Sequence, residues 1–250
     1  MKLLLPVLVF LIILSCNQQD SPFFSVDCFE DSINYNPGYE SIYRPCRQFI
    51  YRAQYWDANY NLISDQRIWM MATGKHWELD PGQAELYVQY EYDETDVERI
   101  QSYNINQSIT DWEWRKWETI GVTESQSGLW MHPFRANQYL FTEVAPFPMI
   151  SYANLDIGIQ WPRTMNVYDG WGDWANSQVE SFYQITEVVN LDTGIGTVND
   201  CYHVNSMANA PYGNSTFDYW FNMKYGIVKM LYRNYREQLL QIELIEVIEG

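Results

Sequence analysis

Residues 226–248 read GIVKMLYRNYREQLLQIELIEVI, and this stretch decides the fold. Apolar residues alternate with polar ones on both sides of a short polar turn, which is the pattern of two half-buried strands. Leu240, Leu244 and Val247 also have helical spacing, but the share of Ile and Val in the second run favours a strand. Because strands joined by a short connection pair antiparallel, the stretch predicts a β-hairpin.

The hairpin belongs to a longer meander in the last third of the chain. Turn signals such as Asp192-Thr193-Gly194 separate runs of similar length. The expected strands are Val179–Asn190, Gly196–Met207, Thr216–Met223, Gly226–Asn234 and Glu237–Ile248. The meander therefore predicts an antiparallel sheet.

The first half of the chain shows the same alternation. Gln48–Trp56 and Leu62–Ala72 flank a polar turn and predict a hairpin, and a third strand, Ala84–Tyr92, follows the turn signal Asp80-Pro81-Gly82. One helix is expected over Asp93–Tyr103, where Thr95 and Glu98 have capping-box spacing.

Prolines interrupt the middle of the chain. Their density over residues 129–150 excludes central strands and predicts a wall-like loop with edge pairing. The fold class is therefore all-β: an antiparallel meander that forms a strongly curved sheet or open barrel, with at most one or two short helices.

The N-terminus has the features of a secretory signal. Lys2 precedes an apolar run that is too short to span a bilayer, and the small residue Ser15 precedes Cys16. We expect a signal peptide at 1–15, a polar tether at 16–45 and a single β-rich domain at 46–250. With an aromatic content of 17%, the chain is far from the composition of disordered proteins.

The end of this signal resembles a bacterial lipobox, with an aliphatic residue, Ile13, three positions before the cysteine. The resemblance implies that Cys16 is acylated and becomes the N-terminus, so that two or three acyl chains hold the protein on the lipid bilayer. Asn17 is similar to the residue that favours the outer membrane in some bacteria. The alternative is an ordinary secretory signal with an incidental cysteine.

The formal net charge of −17 excludes one class of partner. Nucleic-acid binding needs clustered Lys and Arg, so nucleic acid is excluded. Of the cysteines, Cys28 and Cys46 bracket a loop that a disulfide could close, with one cysteine left over. Cys201 lies in an alternating apolar segment and is expected to be a buried thiol.

Two stretches resemble a group of uncharacterised bacterial envelope lipoproteins. The matching residues are Gly128–Arg135, Leu140–Glu143, Pro146–Pro148, Gly170–Asp173, Gly196–Tyr202, Tyr219–Phe221 and Tyr225–Lys229. The C-terminal half is also similar to a widespread secreted β domain of unknown function. The resemblance implies a β fold and an envelope location, and it supplies no activity; Phe134 departs from it, standing where a second proline is expected.

No catalytic motif is present in the sequence. The three histidines, at 76, 132 and 203, lack metal-ligand spacing, and no Gly-x-Ser-x-Gly elbow occurs. Asp169 and Asp173 on a Gly-rich turn are a candidate for structural calcium, against the alternative of a plain turn. No other cofactor is expected, and the chain is predicted not to be an enzyme.

Aromatic abundance is the remaining signal. Trp112, Trp114 and Trp117 interleave with charged residues in a strand-like run, and Trp171 lies in a turn. Most aromatics are expected in the core, but Trp112, Trp114 or Trp171, if exposed, could stack on sugars or line a concave site for an acyl chain.

Three classes of function stay open. The leading one is a non-enzymatic envelope lipoprotein that binds an apolar or glycan ligand or serves in assembly. The second is a hydrolase with paired carboxylates in a cleft, suggested only by the abundance of acidic residues. The third is a structural partner of other envelope proteins.

Overall fold

The first strand of the fold lies in the middle of the sheet. The structure, a computed structural model, describes residues 28–29, 41–102, 114–139, 145–168, 174–211 and 213–250. The strands of this part are β1 (Gln48–Trp56), β2 (Leu62–Trp77), β3 (Asp80–Tyr90), β4 (Trp117–Ser125), β5 (Gly128–Met131), β6 (Met149–Ser151), β7 (Gln160–Asn166), β8 (Gln178–Thr193), β9 (Gly196–Ala210), β10 (Gly213–Asn222), β11 (Gly226–Arg233) and β12 (Leu239–Ile248). They form a twelve-stranded sheet in the order β6-β5-β4-β3-β2-β1-β12-β11-β10-β9-β8-β7.

The sheet is an antiparallel meander that curves without closing, so the predicted all-β class is confirmed. Each strand pairs with its neighbours in the chain, except that β1 pairs with β12 and thereby joins the two halves. β6 and β7, although consecutive in the chain, are the two edges of the sheet. A seam therefore runs between the two edges.

The predicted strands of the last third are present with small changes in their ends. The final run is a strand, as expected, with Leu240, Ile242 and Leu244 fully buried along one face. Two expectations were wrong. Asp80 begins β3 instead of forming a turn before it, because it pairs with Trp77 at the end of β2.

The predicted helix is α1 (Glu94–Ser102), but its cap differs from the expectation. Asp93 Oδ1 accepts hydrogen bonds from the backbone N–H of Asp96 at 2.7 Å and from the Thr95 hydroxyl at 2.6 Å. Asp93 is therefore the N-cap, and Thr95 lies inside the first turn. Within the described ranges, no helix has the length and apolar character needed to cross a membrane.

Aromatic side chains fill the concave face of the sheet. Inward positions alternate along each strand, as they do at Phe217, Tyr219 and Phe221 of β10. The largest fully buried side chains are Tyr43, Tyr51, Tyr55, Tyr139, Tyr219, Tyr232, Phe49, Phe134, Phe217, Phe221 and Ile50. Cys201 is buried among them as expected, and burial raises the pKa of its thiol to about 11.

The even-numbered strands all end at the same end of the sheet, which we call the tether end because the N-terminal segment is bound there. A disulfide joins Cys28 to Cys46, with the Cα atoms 5.4 Å apart. The backbone N–H of Phe29 donates to Thr73 O at 2.9 Å. This segment therefore adheres to the last residues of β2.

Residues 41–45, which the sequence assigned to the tether, also contact the sheet. Glu124 at the end of β4 accepts the backbone N–H groups of Ile42 at 2.8 Å and Tyr43 at 3.0 Å. The buried guanidinium of Arg47 donates to Ile42 O and Lys224 O, each at 3.0 Å. These bonds connect the start of the fold with the β10–β11 turn.

Candidate functional site

Most of the site residues predicted from the sequence fall outside the described residues: Cys16, Trp112, Asp169, Trp171 and Asp173. Trp114 is described, and it is half-buried rather than freely exposed. Its ring meets that of Tyr92 edge-on at 4.6 Å and packs against the core. β4 begins only at Trp117, so the strand-like alternation from Trp112 does not extend to Trp114 as expected.

A groove lies along the seam between the two edges of the sheet. One wall comes from β4, β5 and β6, and the other from the start of β7. Its volume is about 480 Å³. Since the concave face is filled, this seam is where the described residues leave room for a ligand.

The lining of this seam groove combines aromatic rings with neutral polar groups. Trp130 and Trp161 contribute the rings, and the hydroxyl and amide groups come from Thr123, Ser125, Ser127, Ser151, Asn154 and Gln160. No Asp, Glu, Lys, Arg or His occurs among the lining residues, although 19% of the chain is charged. The chemistry of the groove therefore suits an uncharged ligand that has both polar and apolar faces.

The two tryptophans are held by stacking. Trp161 lies parallel to the buried ring of Tyr183, with 5.4 Å between centroids and an interplanar angle of 3°. Trp130 contacts His132 at 4.6 Å and Phe147 at 5.9 Å. Burial, followed by the nearby Arg135 guanidinium, lowers the pKa of His132 to about 4. A neutral, aromatic support therefore stands beneath Trp130 at neutral pH.

A second groove of about 450 Å³ adjoins the first on the outer surface of β7 to β9. The two grooves share Gln160, Trp161 and Pro162. The second groove also has no charged lining residue, and its floor includes Phe182, which is 49% exposed. An extended ligand can therefore cross β7 from one groove to the other.

The β6 edge of the seam has its backbone groups satisfied. The Tyr219 hydroxyl, which reaches across from β10, donates to Met149 O and accepts from Met149 N at 3.4 Å. Burial raises the pKa of this hydroxyl well above its usual value, so it remains a donor. A further strand adding to β6 would have to displace this bond.

The β7 edge is also unsuited to strand addition. Ile159 O accepts from Ile185 N at 3.0 Å, and the register with β8 places Pro162 opposite Phe182. Because hydrogen-bonded residues alternate along an antiparallel pair, Pro162 faces the free edge, where it has no N–H to donate. Neither edge is thus arranged to receive a peptide as a new strand.

The buried carboxylate of Glu118 serves the fold. Glu118 Oε1 accepts from the Tyr90 hydroxyl and from the backbone N–H groups of Arg135 at 2.7 Å and Ala136 at 3.3 Å. Desolvation raises its pKa despite these donors. The group fastens the loop after β5 to β4, and it faces no second carboxylate in the groove.

His203 lies in a polar cluster on the outer face of β8 to β10. Its Nδ1 is 2.9 Å from Thr186 Oγ1 and 3.3 Å from Glu187 Oε1, while Nε2 is 2.9 Å from Asp218 Oδ1. Its ring stacks on Trp220 at 4.5 Å. Both ring nitrogens are occupied by neighbouring strands, so the cluster is a cross-strand contact. Among the residues the structure describes, no group of three or more His, Cys, Asp or Glu is placed to hold a metal ion.

The sequence did not single out the tryptophans of the seam groove as ligand contacts. Trp130 lies in the resembling segment Gly128–Arg135, but Trp161 follows a turn and precedes a proline. The only local signal was the prediction that prolines place this region at an edge. Nothing local brings the two residues together, because they lie at opposite ends of the strand order.

No protein-family model and no curated protein sequence matches the chain. Two solved structures were found to be similar. One is a protein inferred to be exported, with a YmcC-like fold, from Bacteroides fragilis: 10% identity, TM-score 0.43, covering 81% of this chain and 95% of that one. The other is a protein inferred to be a lipoprotein from Parabacteroides distasonis: 13% identity, TM-score 0.42, with the same coverage, 81% and 95%.

Proposed function

We propose that this protein is a non-enzymatic envelope lipoprotein whose seam groove binds a neutral glycan. The observation that carries the proposal is the composition of the groove, in which Trp130 and Trp161 stand among hydroxyl and amide side chains without any charged group. Sugars present apolar ring faces and hydroxyl edges, and this lining complements both.

Two other ligand classes fit less well. An acyl chain needs an apolar cavity, whereas the concave face is occupied by side chains such as Tyr51, Tyr219 and Tyr232. A peptide strand needs a free sheet edge, whereas Tyr219 covers one edge and Pro162 weakens the other. A glycan requires neither.

The location follows from the first sixteen residues. The short signal that ends at Cys16 supports acylation of this cysteine and retention at the outer membrane. Cys16→Ala is expected to release a folded, soluble protein or to block maturation. Mass spectrometry of the N-terminal peptide and membrane fractionation check this, and a Cys16→Ala protein that remains acylated would contradict it.

The glycan proposal is tested with arrays of neutral and charged oligosaccharides. We expect binding to neutral members, weakened about tenfold in Trp161→Ala and Trp130→Ala, since loss of a stacking contact removes about 1.4 kcal/mol. Trp117→Ala is the matched control, because Trp117 is 57% exposed and does not line either groove. Equal binding by all the variants, or no binding to any neutral glycan, would refute the proposal.

A further inference from the structure

We propose that the tether end of the sheet rests on the bilayer surface, with apolar side chains from separate loops in contact with lipid. The inference rests on the anchoring part of the proposed function, acylation of Cys16, and is independent of the glycan groove. It identifies a second contact with the membrane, made by the folded domain itself.

Four large apolar side chains are exposed at the tether end. Leu79 is 73% exposed, Ile157 63%, Met223 47% and Phe29 41%. They come from the β2–β3 turn, the β6–β7 connection, the β10–β11 turn and the disulfide-bound segment. Because each stands on a different loop, they are distributed around the end of the sheet and can meet a flat surface together.

The opposite end of the sheet has a different composition. In the described part of that end, the exposed large apolar residues are Tyr60, Leu62 and Tyr168. Two of these three carry a hydroxyl that water can hydrogen-bond, and the Tyr60 hydroxyl accepts from Arg233 at 3.1 Å. The aliphatic side chains are therefore concentrated at the tether end.

Chain length places this same end next to the bilayer. Cys28 is fixed there by the disulfide with Cys46. The residues from Cys16 to Cys28 can span at most about 40 Å when fully extended. β2 runs from Leu62 at the far end to Trp77 at the tether end, about 50 Å of strand. Anchoring therefore holds the tether end, and not the far end, close to the lipid.

The charges near these side chains indicate an apolar contact rather than attraction to anionic lipid. Lys75 lies 4.4 Å above the ring of Phe29, as interfacial cations and aromatics do when the charged group remains in water. However, the acidic residues Glu78 and Asp80 flank Leu79 in the chain. Neutral lipid is therefore sufficient for the contact and is the appropriate probe.

Spin labels on the acylated, full-length mature protein test the inference. Leu79→Cys and Met223→Cys report on the tether end, and Leu62→Cys is the matched control at the other end of β2, where Leu62 is 48% exposed. In the described residues the other cysteines are in the disulfide or buried, so the introduced thiol reacts selectively. Each labelled protein is reconstituted in phosphatidylcholine vesicles, and its accessibility to oxygen and to a water-soluble nickel chelate is measured.

We expect the labels at positions 79 and 223 to lose accessibility to nickel and gain accessibility to oxygen, while the label at 62 remains in water. Equal accessibility at all three positions in protein that floats with the vesicles overturns the inference and leaves the anchor intact. Protection from nickel without a gain in oxygen accessibility indicates a protein contact and also overturns it. Failure to float overturns the anchor and the inference together, whereas neither result affects the glycan groove.

Discussion

The hydroxyl of Tyr219 on β10 holds the backbone of Met149 on the edge strand β6, donating to its carbonyl and accepting from its N–H at 3.4 Å. These two residues come from opposite halves of the sheet. Nearby, the rings of Tyr152 and Phe221 stack at 5.6 Å and join the same two regions. Interior side chains thus hold the curved sheet in shape along a seam that has no strand pairing.

Tyr219→Phe is expected to lower the free energy of unfolding by about 1–3 kcal/mol, because the backbone groups of Met149 lose their partner while the ring still packs. Urea denaturation measures this change. Tyr168→Phe, at a position that is 75% exposed, is the control and should leave stability within about 0.5 kcal/mol of the original. A Tyr219→Phe protein as stable as the control would show that the seam does not depend on this bond.

Glu118→Ala is expected to cost about 3 kcal/mol or more, since it leaves buried donors, the Tyr90 hydroxyl and the Arg135 N–H among them, without an acceptor. Glu118→Gln keeps an acceptor oxygen and removes a carboxylate whose pKa is raised by desolvation. The glutamine variant should therefore stay within about 1 kcal/mol of the original. Thermal and denaturant unfolding of the two variants decide the point; equal losses would mean that charge matters more than the hydrogen bonds.

Replacement of Cys28 and Cys46 by serine is expected to lower stability by about 3 kcal/mol, because the disulfide closes a loop with a sequence separation of 18 residues. Guanidinium denaturation of the variant and of the parent, with and without reductant, provides the comparison. The parent under reducing conditions should match the variant. Identical midpoints for the oxidised parent and the variant would be inconsistent with this contribution.

Stability should fall as the pH is lowered from about 6.5 to 4. His132 has a pKa of about 4 in the folded protein, whereas in the unfolded chain it protonates near its usual value of 6.5. The unfolded state therefore binds more protons in this window, and this residue contributes a loss of at most about 1.4 kcal/mol per pH unit.

The variant His132→Gln should lose that part of the pH dependence. Denaturant unfolding at a series of pH values compares the slopes of the two proteins. His76→Gln serves as the control because His76 is exposed at the end of β2. If the His132 and His76 variants retained the same slope as the parent, the burial of His132 would not be the cause.

Strand positions could be predicted wherever a strand has one buried face, because alternation is then written in the local sequence. Leu240, Ile242 and Leu244 of β12 are an example. β7 was not predicted, since most of its residues are exposed and Pro162 argues against a strand unless an edge is known. The N-cap was displaced from Thr95 to Asp93 because the spacing of the capping box does not decide which of two polar side chains accepts the bond.

The candidate site could not be predicted from local pattern. Trp130 and Trp161 approach each other only because the sheet curves until its edges, β6 and β7, face each other across the seam. Trp114 shows the reverse case, in which a position that alternates with charged residues packs against Tyr92 instead. Sequence indicated abundant aromatics, whereas curvature decides which of them remain available.

The pairing of β1 with β12 also sets the order of events during synthesis. β1 is complete at Trp56, but its partner begins only at Leu239. At about 5–20 residues per second, one hydrogen-bonding edge of β1 waits roughly 10–40 s for that partner. Until then the nascent chain carries an unpaired strand in what will become the centre of its sheet, which makes this interval the period of greatest risk of aggregation.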